Sequence, residues 1–298
     1  MTTHQLLTPL QKEDEILLIS TARKVSEEEI GLCIASLEEW GLKVQLGKHI
    51  FKKDKQFAGT DHERAEDLQW ALDHPSAKAI LCTRGGYGSS RIIDSVTFNT
   101  FQKKPKWFIG FSDVSIIHHH INALGIASIH ATMPLLFTDR TAVSSLKSCL
   151  FNDTYHICAP PHTLNTFGEA KGEVIGGNLT LVTHGLGTPS EIVTKDKILF
   201  LEEIDEYLYH LDRMIVQLKR AGKLKNLKGL IIGGLSKMND NTIPFGLSAQ
   251  EIIYEHTKEY NYPICFEMPC GHITKNHALI FEKKAFLKVN EEETKLSY

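Results

Sequence analysis

Lys104-Pro-Lys-Trp-Phe-Ile-Gly-Phe-Ser-Asp-Val-Ser-Ile-Ile-His-His-His120 changes character halfway along. Trp107 to Gly110 is an apolar, aromatic run of the kind that forms a buried strand. Two residues later, Ser112 and Asp113 open a segment with the composition of a helix start. The stretch is therefore a strand, a sharp turn and a helix. Its serine has two readings: an N-cap whose oxygen accepts from the first helical N–H groups, or a hydroxyl lifted clear of the strand as a nucleophile.

The same unit recurs on both sides. Glu15 to Ser20 predicts a strand, and Ser26 with Glu29 a capping box that starts a helix carrying Ile30, Ile34 and Leu37 on one face and ending at Gly41. Thr60 with Glu63 repeats the box ahead of Leu68 and Leu72, Pro75 closes that helix, and Lys78 to Cys82 follows as a strand. After the quoted stretch, Ala127 to His130 supplies another. Repeated βα units of this kind predict a Rossmann-like α/β domain with a largely parallel sheet, over residues 1–155. Residues 156–169, with Ala159-Pro-Pro-His162 and Asn165-Thr-Phe-Gly168, are rich in turn formers and predict a linker. Residues 170–298 return to strands, at 173–175, 197–201, 229–232, 263–267 and 285–289, and to helices near 206–220 and 247–258. They predict a second, mixed α/β domain rich in strands.

At 298 residues, 42% hydrophobic and 23% charged with a net charge of −3, the chain has ample length for two cores and no basic stripe for nucleic acid. Met1 to Glu15 lacks the apolar centre of a signal segment, and no run approaches the roughly 20 apolar residues of a membrane span. A cytoplasmic protein is expected. Its six scattered cysteines form no C-x-x-C pair, so reduced and mostly buried thiols are expected. Consecutive residues on a helix point about 100° apart, so His118-His119-His120 cannot converge on one ion, and neither a metal site nor a cofactor is expected.

In open parallel sheets ligands gather beyond the carboxyl ends of the strands. Three such positions carry reactive side chains: Ser112, Glu202 with Glu203 beside it, and His272. Serine, carboxylate and histidine are the parts of an activated hydroxyl, in which imidazole takes the Oγ proton and the carboxylate fixes the tautomer. Taken singly, a capping serine, a solvated pair of glutamates and a structural histidine would each suffice. Against a true G-x-S-x-G elbow stands Val114 where the second glycine belongs. A second glycine cluster, Thr83-Arg-Gly-Gly-Tyr-Gly-Ser-Ser90, lacks the third glycine of a dinucleotide fingerprint. It can instead bring a backbone N–H to a developing oxyanion, while Arg84 offers a fork suited to a carboxylate.

Together, Arg84-Gly-Gly-Tyr-Gly88, Gly110-Phe-Ser-Asp113, Gly176-Gly-Asn-Leu179, Phe200-Leu-Glu-Glu203 with Tyr209-His-Leu-Asp-Arg213, and Gly271-His272 with Asn276 resemble the LD-carboxypeptidases, serine peptidases that include the microcin C7 immunity peptidases. The resemblance implies a nucleophile at Ser112, a triad carboxylate at Glu202 and a base at His272. It implies an oxyanion hole from the backbone N–H groups of Asp113 and Gly86, and substrate contacts at Arg84, Tyr87 and Asn178. It further implies a C-terminal domain of the swivelling type, no metal, a homodimer, and release of D-alanine from murein tetrapeptides, with a peptidyl-nucleotide or a catalytically silent peptide-binding role as the alternatives. Two blocks depart from the pattern: Ser20-Thr21 replaces a proline near the first strand end, and Leu279-Ile-Phe-Glu282 replaces a Leu-Pro-x-Gly run.

Overall fold

The computed structural model describes residues 7–152 and 154–298. Residues 1–6, part of the lead-in read above as lacking a signal core, and Asp153 in the turn-rich stretch lie outside the described residues. The first lobe runs β1 (Glu15–Ile19), α1 (Glu27–Glu39), β2 (Lys43–Leu46), α2 (Asp61–Asp73), β3 (Ala79–Cys82), α3 (Asn99–Lys103), β4 (Trp107–Gly110), α4 (Ser115–Ala123), β5 (Ser128–His130) and α5 (Arg140–Phe151). The second runs β6 (His156–Ala159), β7 (Gly168–Asn178), α6 (Leu179–His184), β8 (Ile198–Ile204), α7 (Leu208–Arg220), β9 (Gly229–Ser236), α8 (Ala249–Thr257) and β10 (Ile264–Cys265), then β11 (Leu279–Phe281), β12 (Lys284–Val289) and β13 (Thr294–Ser297).

The strands form two sheets. One has the order β11-β5-β4-β3-β1-β2, with β1 to β5 parallel. The other has the order β10-β9-β8-β7-β12-β13-β6, parallel from β7 to β10 and antiparallel beyond. Helices cover both faces of a parallel sheet, so its strands must be apolar on both sides. Along β1, Ile16 and Leu18 enter one core while Leu17 and Ile19 enter the opposite one. Along β8, Leu199 and Leu201 divide from Ile198 and Phe200 in the same way.

Local signals hold where they are strong. Both expected capping boxes form, Ser26 with Glu29 and Thr60 with Glu63, and a third, Ser248 with Glu251, starts α8. All six cysteines are free and five are buried, Cys158 being exposed. Between β3 and β4, two single 3₁₀ turns precede the short α3.

Two segments depart from the expected partition at 155 and 170. The stretch read as a linker contributes β6, which pairs antiparallel with β13 at the edge of the second sheet. From the second half, β11 crosses back and pairs antiparallel with β5. Three residues are too short to show a strand period, and their hydrogen-bond partners lie some 150 positions away, so no local signal announces them.

Strand β11 joins the lobes through packing as well. Leu279 is buried in the core under the second sheet, and its neighbour Ile280 in the core of the first. Replacing a buried leucine with alanine removes its transfer energy and leaves a cavity. Leu279→Ala is expected to cost about 2–5 kcal/mol, read as a drop in the urea midpoint. An unchanged midpoint would show that β11 does not hold the lobes.

Candidate active site

Ser112 takes φ 64°, a left-handed conformation that non-glycine residues seldom adopt. It follows the extended Phe111 and opens a single 3₁₀ turn that leads into α4. Its hydroxyl makes no capping bond and its φ is not the extended one of an N-cap, so the N-cap reading does not hold. Strain of this kind concentrates where function fixes geometry. Val114 does not prevent the turn. A Cβ at Gly110 would lie 2.9 Å from Val114 Cγ1, so the glycine before the serine makes the room that the missing second glycine would have supplied.

His272 lies in the loop after β10 and Glu202 within β8, beside a register shift between Leu201 and Glu203. Nδ1 of His272 meets Glu202 Oε2 at 2.6 Å, and Nε2 meets Ser112 Oγ at 3.0 Å. The carboxylate can only accept, so the proton sits on Nδ1 and the Nε2 lone pair faces the hydroxyl. Three side chains from two sheets thus form one line. Burial alone would push the His272 imidazole down; the charge and hydrogen bond of Glu202 outweigh it and hold the pKa above the ordinary 6.5.

The two glutamates are not a solvated pair, since Glu202 is fully buried and Glu203 nearly so. Successive strand residues point to opposite faces, which separates their tasks. Glu203 Oε1 accepts from Asn178 Nδ2 at 2.7 Å and from the Ile204 N–H; Oε2 accepts from the Thr180 N–H and hydroxyl, both at 2.8 Å. Burial raises the Glu203 pKa, with the neighbouring Glu202 charge adding to it. Asn178 is committed too: its oxygen caps α6 through the Leu181 N–H.

The loop that holds His272 is set by its own glycine. Gly271 has φ 101°, and a Cβ there would stand 2.8 Å from Glu202. Its N–H donates to Asn276 Oδ1 at 2.7 Å, and the Ser236 hydroxyl donates to the His272 carbonyl at 2.6 Å. The Phe111 ring packs against the imidazole with centroids 4.8 Å apart.

Across the serine lies the glycine loop. A Cβ at Gly85 would fall 2.9 Å from Ser112 Cβ and 3.0 Å from its Oγ, so only glycine lets the loop approach. The N–H groups of Gly86 and Asp113 donate to no acceptor among the described residues. Asp113 turns its carboxylate inward to accept from the Ser89 N–H at 2.8 Å, and burial raises its pKa. Arg84 donates to the Lys24 carbonyl at 3.1 Å, and Tyr87 is exposed beside Phe57.

Arg64, which sequence reasoning passed over, anchors this loop. Buried in α2, its Nη1 donates to the carbonyls of Thr21 and Gly88 at 2.7 and 2.9 Å, and the guanidinium also pairs with Asp61. A signal existed, because Arg64 stands four residues before Leu68 on the apolar stripe of the helix. Lys237, directly after β9, was likewise overlooked at a strand end. It lines a cleft beside His272 of about 580 Å3. Among the described residues no group of three or more His, Cys, Asp or Glu could hold a metal, and the buried His118 and His119 turn to the backbone carbonyls of Gly110 and Gly176.

Residues 16–131 match the LD-carboxypeptidase N-terminal domain and residues 171–287 the LD-carboxypeptidase C-terminal domain. A probable murein peptide carboxypeptidase of Bacillus subtilis is 33% identical over 296 residues, covering 95% of this chain and 91% of its own. The muramoyltetrapeptide carboxypeptidase of Oxalobacter formigenes shares the fold with a TM-score of 0.87, at 24% identity over 95% of this chain and 98% of that one. The microcin C7 self immunity protein MccF, solved with glutamyl sulfamoyl guanosine, gives a TM-score of 0.87 at 19% identity, over 98% of both chains.

The close approach of Gly85 can be tested on its own. Gly85→Ala is expected to leave the thermal midpoint within a few degrees while cutting the labelling of Ser112 by a fluorophosphonate at least tenfold. Labelling at the wild-type rate would show that the loop has room to spare.

Proposed function

The chain belongs to the LD-carboxypeptidase family, and from that premise we propose that it hydrolyses the amide before a C-terminal D-amino acid, releasing D-alanine from a murein tetrapeptide through a Ser112, Glu202 and His272 triad. The observation that carries this reading is the 3.0 Å approach of His272 Nε2 to Ser112 Oγ. That contact is within the range for a base and the proton it removes. His272 deprotonates Ser112 as Oγ attacks the amide carbon. The tetrahedral oxygen turns toward the N–H groups of Asp113 and Gly86, the Nε2 proton passes to the departing amine, and a water attacks the acyl-enzyme by the same base.

The 33% identity to a murein peptide carboxypeptidase along nearly the whole chain favours the tetrapeptide over a peptidyl-nucleotide substrate. The aligned triad speaks against a silent binding protein. The reading extends to a homodimer working in the cytoplasm; six free thiols fit a reducing compartment. Sedimentation at micromolar concentration checks the dimer, and a monomer there would remove that part.

Ser112→Ala is expected to lower D-alanine release from the tetrapeptide by about 10^4- to 10^6-fold with little change in KM. An assay beside aminoacyl sulfamoyl adenosine separates the two substrate classes. Undiminished release by the variant would sink the mechanism.

The pH profile tests the base. Neutral His272 is the active form, so kcat/KM should rise with pH through an apparent pKa above 6.5. A raised pKa also means that His272 stabilises the fold fully below 6.5 and loses that contribution as pH climbs through the folded-state value. Activity and this share of stability therefore run in opposite directions across one window. In Glu202→Gln burial acts without the opposing charge, and the acid limb should move to lower pH. A limb that stays in place would exclude His272 as the titrating base.

A further inference from the structure

The cleft beside His272 is built from both lobes, with Phe111 and Leu136 on one wall and Ile204 and Ile273 on the other. It borders Gly271 and His272, and none of residues 84–88 lines it. This placement assigns it a part in the reaction. If the Asp113 and Gly86 N–H groups take the oxyanion, the departing amine must lie on the opposite side of the scissile carbon, where Nε2 can protonate it. The released residue therefore sits on the imidazole side, in this cleft.

A carboxypeptidase must also distinguish a chain end from the middle of a chain, and the difference is one carboxylate. The cleft contains one lysine and no arginine among its lining residues: Lys237. It follows β9 directly at φ 52°, a second left-handed side-chain-bearing residue at the site. Its neighbour Ser236 holds the His272 carbonyl, and the Ser236 carbonyl accepts from the Asp205 N–H at 2.9 Å. The lysine backbone is thus tied to the loop that carries the base.

Among the described residues the Lys237 ammonium makes no ion pair or hydrogen bond, and the carboxylates of the adjoining loops have partners of their own. Asp139 caps α5 and accepts from the N–H groups of Thr141, Ala142 and Lys275. Asp205 accepts from Asn239, and Glu206 from the Tyr207 N–H while its Oε1 faces His210. Arg84, the other candidate for this task, borders the glycine loop and donates to Lys24.

We propose that Lys237 binds the α-carboxylate of the departing C-terminal residue and so sets the preference for a free chain end. This rests on the hydrolase reading of the site. The cation does not take part in bond making; it positions the leaving residue under Nε2.

The test compares a tetrapeptide ending in D-alanine with its C-terminal amide, in the wild-type enzyme and in Lys237→Met, which keeps the stem and removes the charge. The wild type should prefer the acid, and the variant should lose that preference by roughly 10- to 100-fold, chiefly through KM for the acid. Lys237→Arg should restore most of it. An acid-to-amide ratio unchanged in Lys237→Met overturns the inference and leaves the hydrolase reading standing. A wild-type enzyme that releases no D-alanine overturns the reading, and the inference with it.

Discussion

A serine hydroxyl is a weak nucleophile until a neutral imidazole nitrogen stands within hydrogen-bond reach, and here the two groups are 160 residues apart on different sheets. If the contact is the catalytic one, an error of an ångström at the junction would cost about a hundredfold in rate. The seam is accordingly dense with directional contacts. His119 Nε2 meets the Gly176 carbonyl at 2.9 Å, the Asn178 N–H donates to the Ser115 hydroxyl, and the Ala278 N–H donates to Ser145 at 2.8 Å. The Lys275 N–H donates to Asp139. Strand β11 then adds backbone bonds from one half of the chain to the sheet of the other.

What could be read from the sequence follows from how local each cause is. Capping boxes, strand-to-helix alternation and a serine after a glycine are decided within a few residues, and they are found where expected. The convergence of Ser112, Glu202 and His272 was legible because parallel sheets place the residues after their strands at one edge, so three separate strand ends meet for a topological reason. The N-cap reading of Ser112 failed on a backbone angle that composition does not encode. Asn178 matched a motif, yet its side chain is divided between a helix cap and Glu203. Strand β11 and strand β6 owe their existence to partners far along the chain. Arg64 and Lys237 were concealed differently: each is an ordinary surface residue type, and only position reveals it, one on the apolar stripe of a helix and the other at a strand end.

Two adjacent carboxylates buried in one strand call for an electrostatic account, because burying an unpaired charge is far more costly than any contact nearby returns. Glu203 is solvated by four donors from Asn178, Thr180 and the Ile204 N–H. Glu202 has only His272, through the ring and the backbone N–H, and its Oε1 has no partner among the described residues. On the proposed mechanism that imbalance matters to catalysis. A carboxylate already satisfied by neutral donors gains little when its neighbour becomes charged, whereas an under-solvated one gains much from an imidazolium 2.6 Å away. In the mechanism proposed above, the incomplete solvation of Glu202 would be relieved in the transition state, when His272 holds the serine proton.

Partner chemistry also sets His272 apart among the fifteen histidines. His118 and His119 are fully buried with backbone carbonyls as their partners, and burial pushes them down to about 4 and about 3. His130, packed between Phe111, Phe200 and Phe281, is pushed well below the ordinary value by burial and by its histidine neighbours. None of these faces a carboxylate, so each stays neutral through the physiological range and serves as packing. His272 is also largely buried, but Glu202 reverses the sign of its shift. A neutral wall of imidazoles behind Phe111 adds no competing proton and no repulsive charge to the site. The raised pKa of His272 thus comes from its partner, with burial common to all four.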